Sequence, residues 1–401
     1  MNAPRFIQIH TLHNYPAALL NRDESGLAKR LPYGDAIRTR ISSQCQKRHW
    51  RTADDKFALS KLGVPMAVRS RTTLNLIRTK IMENGVSEAL AQAAAEGLRA
   101  GGLLDKVKEI EGKEIKGKEA LKTGQAVLLG YAEIEYLVRR CVELANEHHD
   151  EAALKRGIAK FLKEEKTNLS ALVHGSGLES ALFGRMVTSD VLASRDASIY
   201  VAHAFTVHES QVENDYFTVF DDLMRESGER GSAGIFDMEL ASGLYYGYTV
   251  IDVPQLVANL EGTSADWTTL PVAQRELASR VVYNLVHLIA MVSPGAKRGS
   301  TAPFDWAKFM LVEAGDWQPR SLAGAFHNAL DLRQADLRAR AVRTLADEIE
   351  KHDQAFGAPL VRRFLSVDDV EIPNAKRTSL ADLATWSQNA ILEGAVSAGD
   401  I

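Results

Sequence analysis

The sequence predicts an α+β core interrupted by a large helical insertion. Two observations carry that reading. Short runs rich in β-formers open the chain (RFIQIHTL, 5–12) and return from about residue 181, in SIYVAHAFTVH, DYFTVFDDL and SGLYYGYTVIDV. Between them, residues 57–190 read mainly as helix. No repeat with a period of 20 to 50 residues is evident, which argues against a solenoid.

The elements follow in order. Residues 5–12 form a first strand. HNYPAALLNRDESGLAKRLPYG (13–34), with two prolines and two glycines, reads as a long loop. Ser43 and Gln46 have capping-box spacing and predict a helix running to Phe57. Helical texture then covers 72–85, 87–102, 123–149 and 150–165, while the Lys/Glu/Gly-rich stretch 105–124 reads as a solvated hairpin or mobile insertion. ALFGRMVTS (181–189) begins the return to strands, and DDLMRESGERGSAG (221–234) reads as an exposed turn between two of them. A helix over 275–292 follows, then the loop PGAKRGS (294–300), a strand around KFMLVEA (308–314) and helices to the end.

Composition bounds the function. The chain has 401 residues, 45% hydrophobic and 25% charged, with a formal net charge of −4, so general adhesion to polyanions is excluded and any such binding must come from patterning. Cys45 and Cys141 form no CxxC pair, and two cysteines at this length fit a reducing compartment better than a disulfide framework. No secretory signal and no long apolar run is present, so a cytoplasmic protein without a membrane segment is expected.

One segment departs from that average. IRTRISSQCQKRHWR (37–51) holds Arg38, Arg40, Lys47, Arg48, His49 and Arg51 and no acidic residue. On a helix from Ser43, Gln44, Lys47, Arg48 and Arg51 share one face, and Ser42 and Ser43 stand at its N-terminus, where N–H groups suit phosphate. The competing reading is a solvated basic face. Asp23 and Glu24 in the preceding loop have the chemistry for a divalent metal, though neighbouring loop acids are commonly just solvated. GKEIKGKE (112–119) imitates a phosphate loop but has Glu119 where Ser or Thr belongs. His148 and His149 lack the i,i+4 spacing of helical metal ligands. Tyr216 and Phe217, next to the exposed turn, have the chemistry of base-stacking aromatics and equally that of core residues.

Ordered motifs extend these readings. IQIHTLHNYPAALLNRDESG with RISSQCQKRHWR, then GRMVTSD, AHAFTVHESQVENDYFTVFDD, GSAGIFDMELASGLYYGY and VSPGAKRGS, resembles CasC-type backbone subunits of the type I-E CRISPR Cascade complex over residues 5–56 and 181–310. The resemblance implies a hand-like fold. An RRM-like ferredoxin palm (1–56, 181–210 and, with C-terminal helices, 244–401) would carry helical fingers (57–180) and a β-hairpin thumb (211–243). It also implies a non-catalytic subunit that polymerises along the CRISPR guide RNA, contacts further copies and other Cascade subunits, and reaches target DNA through the guide, with no cofactor. Arg22, Lys29, Ser42, Ser43, Gln44, Lys47, Arg48, Arg51 and Arg185 would contact RNA. Met186, Phe217 and Thr218 would bracket a displaced nucleotide, and Lys297 and Arg298 would hold further phosphates. Cys45 and Gln46 depart from the family's small hydroxyl and apolar residues, and Gln46 in particular unsettles the helix's packing. The alternative is a metal-dependent RNA endonuclease subunit like those of type III effector complexes, with Asp23 as its aspartate.

Overall fold

The computed structural model describes residues 3–101, 103, 121–123, 126–164, 176–185, 194–220, 232–357 and 360–396, with side chains omitted for 217–220 and 232–236. The chain forms two compact units: Met1–Leu59, Tyr200–Val253 and Ser279–Ile401 make the first, and Ser60–Ile199 with Pro254–Ala278 the second. The strands are β1 (Phe6–Ala18), β2 (Arg30–Tyr33), β3 (Ala36–Ile41), β4 (Ala67–Ser70), β5 (Val127–Gly130), β6 (Ile199–Val201), β7 (Ala204–Thr206), β8 (Gln211–Phe220), β9 (Ser232–Asp252), β10 (Phe309–Gly315), β11 (Val361–Ser366) and β12 (Ala375–Arg377). The helices used below are α1 (Ser43–Arg51), α2 (Thr73–Glu83), α3 (Glu88–Ala100), α4 (Tyr131–Glu147), α5 (Glu151–Glu164), α6 (Leu178–Phe183), α7 (Val253–Glu261), α8 (Glu276–Met291), α9 (Arg298–Thr301), α10 (Leu337–Phe356) and α11 (Leu380–Leu392).

The first unit is organised by a mixed sheet in the order β12-β11-β10-β1-β9-β7-β3-β2. β1 is central, antiparallel to β10 on one side and β9 on the other. Residues Phe6–Leu12 are therefore buried on both faces. On one face, Leu12, Tyr246, Phe309, Leu311 and Phe364 pack with Val342, Leu345 and Ile349 of α10. Each fully buried aliphatic side chain there contributes about 1.5–3 kcal/mol. β9 spans 21 residues: its first half makes a hairpin with β8, and its second half pairs with β1 on one side and with β7 and β6 as well. Gly247 of β9 lies opposite Thr11, where a Cβ would come within 2.7 Å of the threonine hydroxyl.

The same face carries a charged core. Glu313 of β10 accepts from Arg362 Nε of β11 at 2.6 Å and from both terminal nitrogens of Arg320 at 2.6 and 3.0 Å. Arg362 also grips Asp353 of α10 at 2.5 and 2.7 Å. His10 Nε2 lies 3.2 Å from Glu313, so it donates there and its Nδ1 accepts from the Tyr246 hydroxyl at 2.9 Å. Burial lowers His10 below the ordinary histidine value against the opposing pull of Glu313. Burial alone would raise Glu313, but hydrogen bonds from His10 and Arg320 and the arginine charge outweigh it and hold the carboxyl well below its usual range.

The second unit is mainly helical. Leu74, Ile77, Ile81, Leu98, Ile134, Leu137, Ile158 and Phe161 from α2 to α5 form its core. A two-stranded antiparallel sheet, β4 with β5, belongs to it as well. Asn259 of α7 donates to the carbonyls of Ala181 and Asp196, tying together that part of the unit.

Several expectations are corrected. β1 runs to Ala18 and β2 occupies Arg30–Tyr33, so strands take up much of the stretch read as a loop. α1 stops at Arg51 instead of Phe57: the Thr52 hydroxyl donates to Arg48 O, and Asp54 and Asp55 next to a helix C-terminus disfavour continuation. Residues 178–183 are helical where strand texture was expected, because Gly177 and Gly184, at φ of 80° and 79°, bound a short turn of helix. β11 and β12 lie in the tail expected to be helical. β9 begins at Ser232, inside the expected turn of 221–234, most of which lies outside the described residues, as does most of 105–124.

Candidate nucleic-acid interface

Three segments of the first unit converge at the end of β1. The first is the loop after it. Asp23 Oδ1 accepts the amides of Ser25 and Leu27 at 2.9 and 3.0 Å and shapes a tight turn at Gly26, while Arg22 bridges to Ala28. The second is α1, latched to that loop because Asn21 Oδ1 accepts the Ser42 amide at 2.9 Å. The third is PGAKRGS, where the Ala296 amide donates to Leu19 O at 2.8 Å.

α1 is capped by Ser42, one residue earlier than the capping-box spacing suggested. Its Oγ accepts the Cys45 amide at 3.2 Å, and Ser43 is already helical and buried. The Ser42 hydroxyl is thus engaged by the helix itself. Ser43, His49 and Trp50 turn inward; Gln44 and Arg48 are exposed, and Lys47 and Arg51 are half-buried on the same side. Gln46, which stood where an apolar anchor was expected, donates to Ala202 O at 2.9 Å, so a hydrogen bond replaces the packing contact. The cations of the last turn also complement the helix dipole, a structural contribution of about 0.3–1 kcal/mol each.

Electrostatics show which cations share a neighbourhood. Burial lowers His49, with Arg298 and Arg48 adding to the shift and its hydrogen bonds to Cys45 and Gly295 opposing it. Burial raises the Cys45 thiol against Arg48 and Lys29. Burial lowers His203, helped by Arg40 and Lys29. Lys29 and Arg298 therefore lie near α1, which itself carries Arg48, and Arg40 shares the neighbourhood of Lys29 at His203. Among the described residues, no acidic side chain forms an ion pair with Arg22, Lys29, Arg40, Arg48, Arg51 or Arg298. Lys297 is exposed beside Arg298, in left-handed backbone at φ 48°.

Two arginines leave the group. Arg185 is 4% exposed, and its guanidinium lies 2.7 and 2.9 Å from the carboxylate of Glu133 within the second unit. That pairing engages its guanidinium inside the second unit. Arg38 is fully buried and donates to Thr206 O and Phe326 O. Arg40, part of the basic segment but not among the expected RNA contacts, is half-buried and hydrogen-bonds His203 at 3.0 Å; its spacing of two from Arg38 gave no hint that one would be buried and the other reachable. Met186 and the side chains of Phe217 and Thr218 lie outside the described residues, although the backbones of Phe217 and Thr218 pair with Phe236 and Ile235 in the β8–β9 hairpin. Tyr216 on that hairpin is 64% exposed. Among the described residues no group of three His, Cys, Asp or Glu side chains is placed to hold a metal, and no helix is long and apolar enough to cross a membrane.

A large mixed sheet with helices and a group of cations at the end of β1 defines the class: an α+β protein. Comparison with known proteins then places it. The chain belongs to the CT1975-like protein family, whose model matches residues 7–390. It is similar to a solved chain of a CRISPR RNA-guided surveillance complex, pre-nicking, with 25% identity and a TM-score of 0.77, over 96% of this chain and 100% of that one. It also shares its fold with a chain of a CRISPR RNA-guided surveillance complex at 23% identity and a TM-score of 0.63, over 95% of this chain and 99% of that one. No curated protein matches it. The likeness to Cascade subunits read from the sequence motifs is borne out.

Proposed function

We propose that this chain is a non-catalytic backbone subunit that polymerises along a CRISPR guide RNA and presents it for pairing with target DNA. The observation that supports the reading is the junction of the Arg22–Lys29 loop, α1 and the PGAKRGS loop through Asn21–Ser42 and Ala296–Leu19, which gathers Lys29, Arg48 and Arg298 with no acidic ion-pair partner among the described residues. Cations held open by the fold suit a phosphate backbone, which grips and positions without reading sequence. Base pairing would supply specificity, and modest affinity per subunit would multiply along a filament. In this reading the sheet unit is an RRM-like palm, the second unit the fingers and the β8–β9 hairpin the thumb. Asp23 shapes its loop through two amides, which supports a structural role for it over a metal-binding one.

The test is to purify the protein, extract its nucleic acid and size it. Nuclease-sensitive RNA of uniform length is expected, and its retention falls in the Lys47→Ala/Arg51→Ala variant. Undiminished retention overturns the reading. Incubating the assembled complex with complementary RNA and magnesium tests the non-catalytic part: regularly spaced cuts, lost in Asp23→Ala, would show an endonuclease instead.

A further inference from the structure

The segment after the cationic turn carries two aromatic side chains that the backbone-gripping role does not use. Phe304 and Trp306 are 70% and 68% exposed, the two most exposed large hydrophobic side chains among the described residues. Exposed rings of this size cost solvation unless they have an occupant.

Their position is fixed by a closed loop. The Asp305 amide donates to Ser293 Oγ at 2.9 Å, and that hydroxyl donates back to the Asp305 carbonyl at 2.9 Å. Gly295 abuts the Pro303 ring so closely that a Cβ would lie 2.4 Å from its Cγ. Asp305 turns inward to accept the Asn14 amide at 2.8 Å and to pair with Lys308 at 2.5 Å. Ala307 is buried, its amide bound to Ala290 O at 2.7 Å. With Pro303, Asp305 and Ala307 anchored, Phe304 and Trp306 are left pointing outward two residues apart. Within the same closed loop, at its tip, stand Lys297 and Arg298.

We propose that Phe304 and Trp306 form a stacking platform for unpaired bases of a single-stranded nucleic acid whose phosphates are held by the neighbouring Lys297–Arg298 turn. The inference rests on the guide-RNA reading and deepens it by adding a base-contacting element outside the β8–β9 hairpin. Cations and exposed rings on one rigid frame are the combination by which single strands are bound without sequence preference. A second copy of this chain would also cover exposed rings, but Arg298, exposed on the same loop with no acidic ion-pair partner among the described residues, favours a polyanion.

The experiment measures binding of the full chain to a fluorescent single-stranded RNA and to the same strand with abasic sites. Phe304→Ala/Trp306→Ala should bind intact RNA about five- to a hundredfold more weakly, with an unchanged salt dependence. The ring-preserving variant Phe304→Tyr/Trp306→Phe should bind as the parent does. The abasic strand should show little difference between parent and alanine variant. Equal binding of the intact strand by parent and alanine variant overturns the platform alone. So does an equal loss on both strands, or a loss of self-association with RNA affinity intact, which would assign the rings to a copy-to-copy contact. A parent chain that binds neither strand overturns the guide-RNA reading along with it.

Discussion

Arg362 and Arg298 carry the same guanidinium into opposite settings within one unit. Arg362 is buried between Glu313 and Asp353, both of its edges matched by carboxylates. Arg298 stands exposed on a loop tip, close enough to His49 to affect its titration, with no acidic partner among the described residues. The first arrangement is closed: removing any member leaves charge stranded in a low dielectric. The second is open: no described residue neutralises it. Folding and ligand binding should therefore respond to different mutations, and the cationic surface should be almost silent in stability.

The largest effect expected is on the closed side. Glu313→Ala strands Arg362, Arg320 and His10 and should cost about 3–5 kcal/mol, read as a drop in melting temperature. Arg48→Ala or Arg298→Ala should change stability by no more than about 1 kcal/mol while weakening RNA binding. A destabilisation by Arg48→Ala comparable to that of Glu313→Ala would break the distinction.

Acid should act on the closed side too. His10, His13 and His208 have values lowered by burial, so the unfolded chain takes up protons near the ordinary histidine value while the folded chain resists them. Their contribution is present above the unfolded value of about 6.5 and is lost as pH falls below it toward the lowered folded values. Glu313, with its lowered value, adds stability above the ordinary carboxylate range that is lost only at still lower pH. Melting temperature should fall from pH 7.5 to 5.5; a rise would contradict the burial of neutral imidazoles.

Two smaller effects sharpen the boundary between the regions. Gln46→Leu leaves Ala202 O without its side-chain donor and should cost about 1–3 kcal/mol if the carbonyl stays dry, with RNA binding unchanged in the folded protein. Asp23→Ala removes two amide contacts of an exposed loop and should cost about 1 kcal/mol or less, with no cleavage activity to lose.

The open surface was more legible in the sequence than the closed one. Local spacing is enough to place Gln44, Lys47, Arg48 and Arg51 on one face of a helix, and the structure has them there. PGAKRGS reads as a basic loop, but nothing local says that Ala296 binds Leu19 O and brings Arg298 to α1. The charged core was invisible because His10 and Glu313 are 303 positions apart and meet only through strand pairing. The Arg185 pairing was invisible for the same reason: beside Met186 it reads as motif, while its partner Glu133 lies 52 positions away on α4. Phe304 and Trp306 were passed over because two aromatics flanking an acid look like any strand edge until Asp305 is seen turning inward.

The most direct test of the open surface is a salt titration of single-stranded RNA binding by the parent chain and by Lys47→Ala/Arg51→Ala. Each lost phosphate contact should flatten the slope of log affinity against log salt by about 0.7, so the double variant should lose about 1.4 across unrelated RNA sequences. Parallel slopes for the two proteins would contradict the claim that this face of α1 grips the backbone.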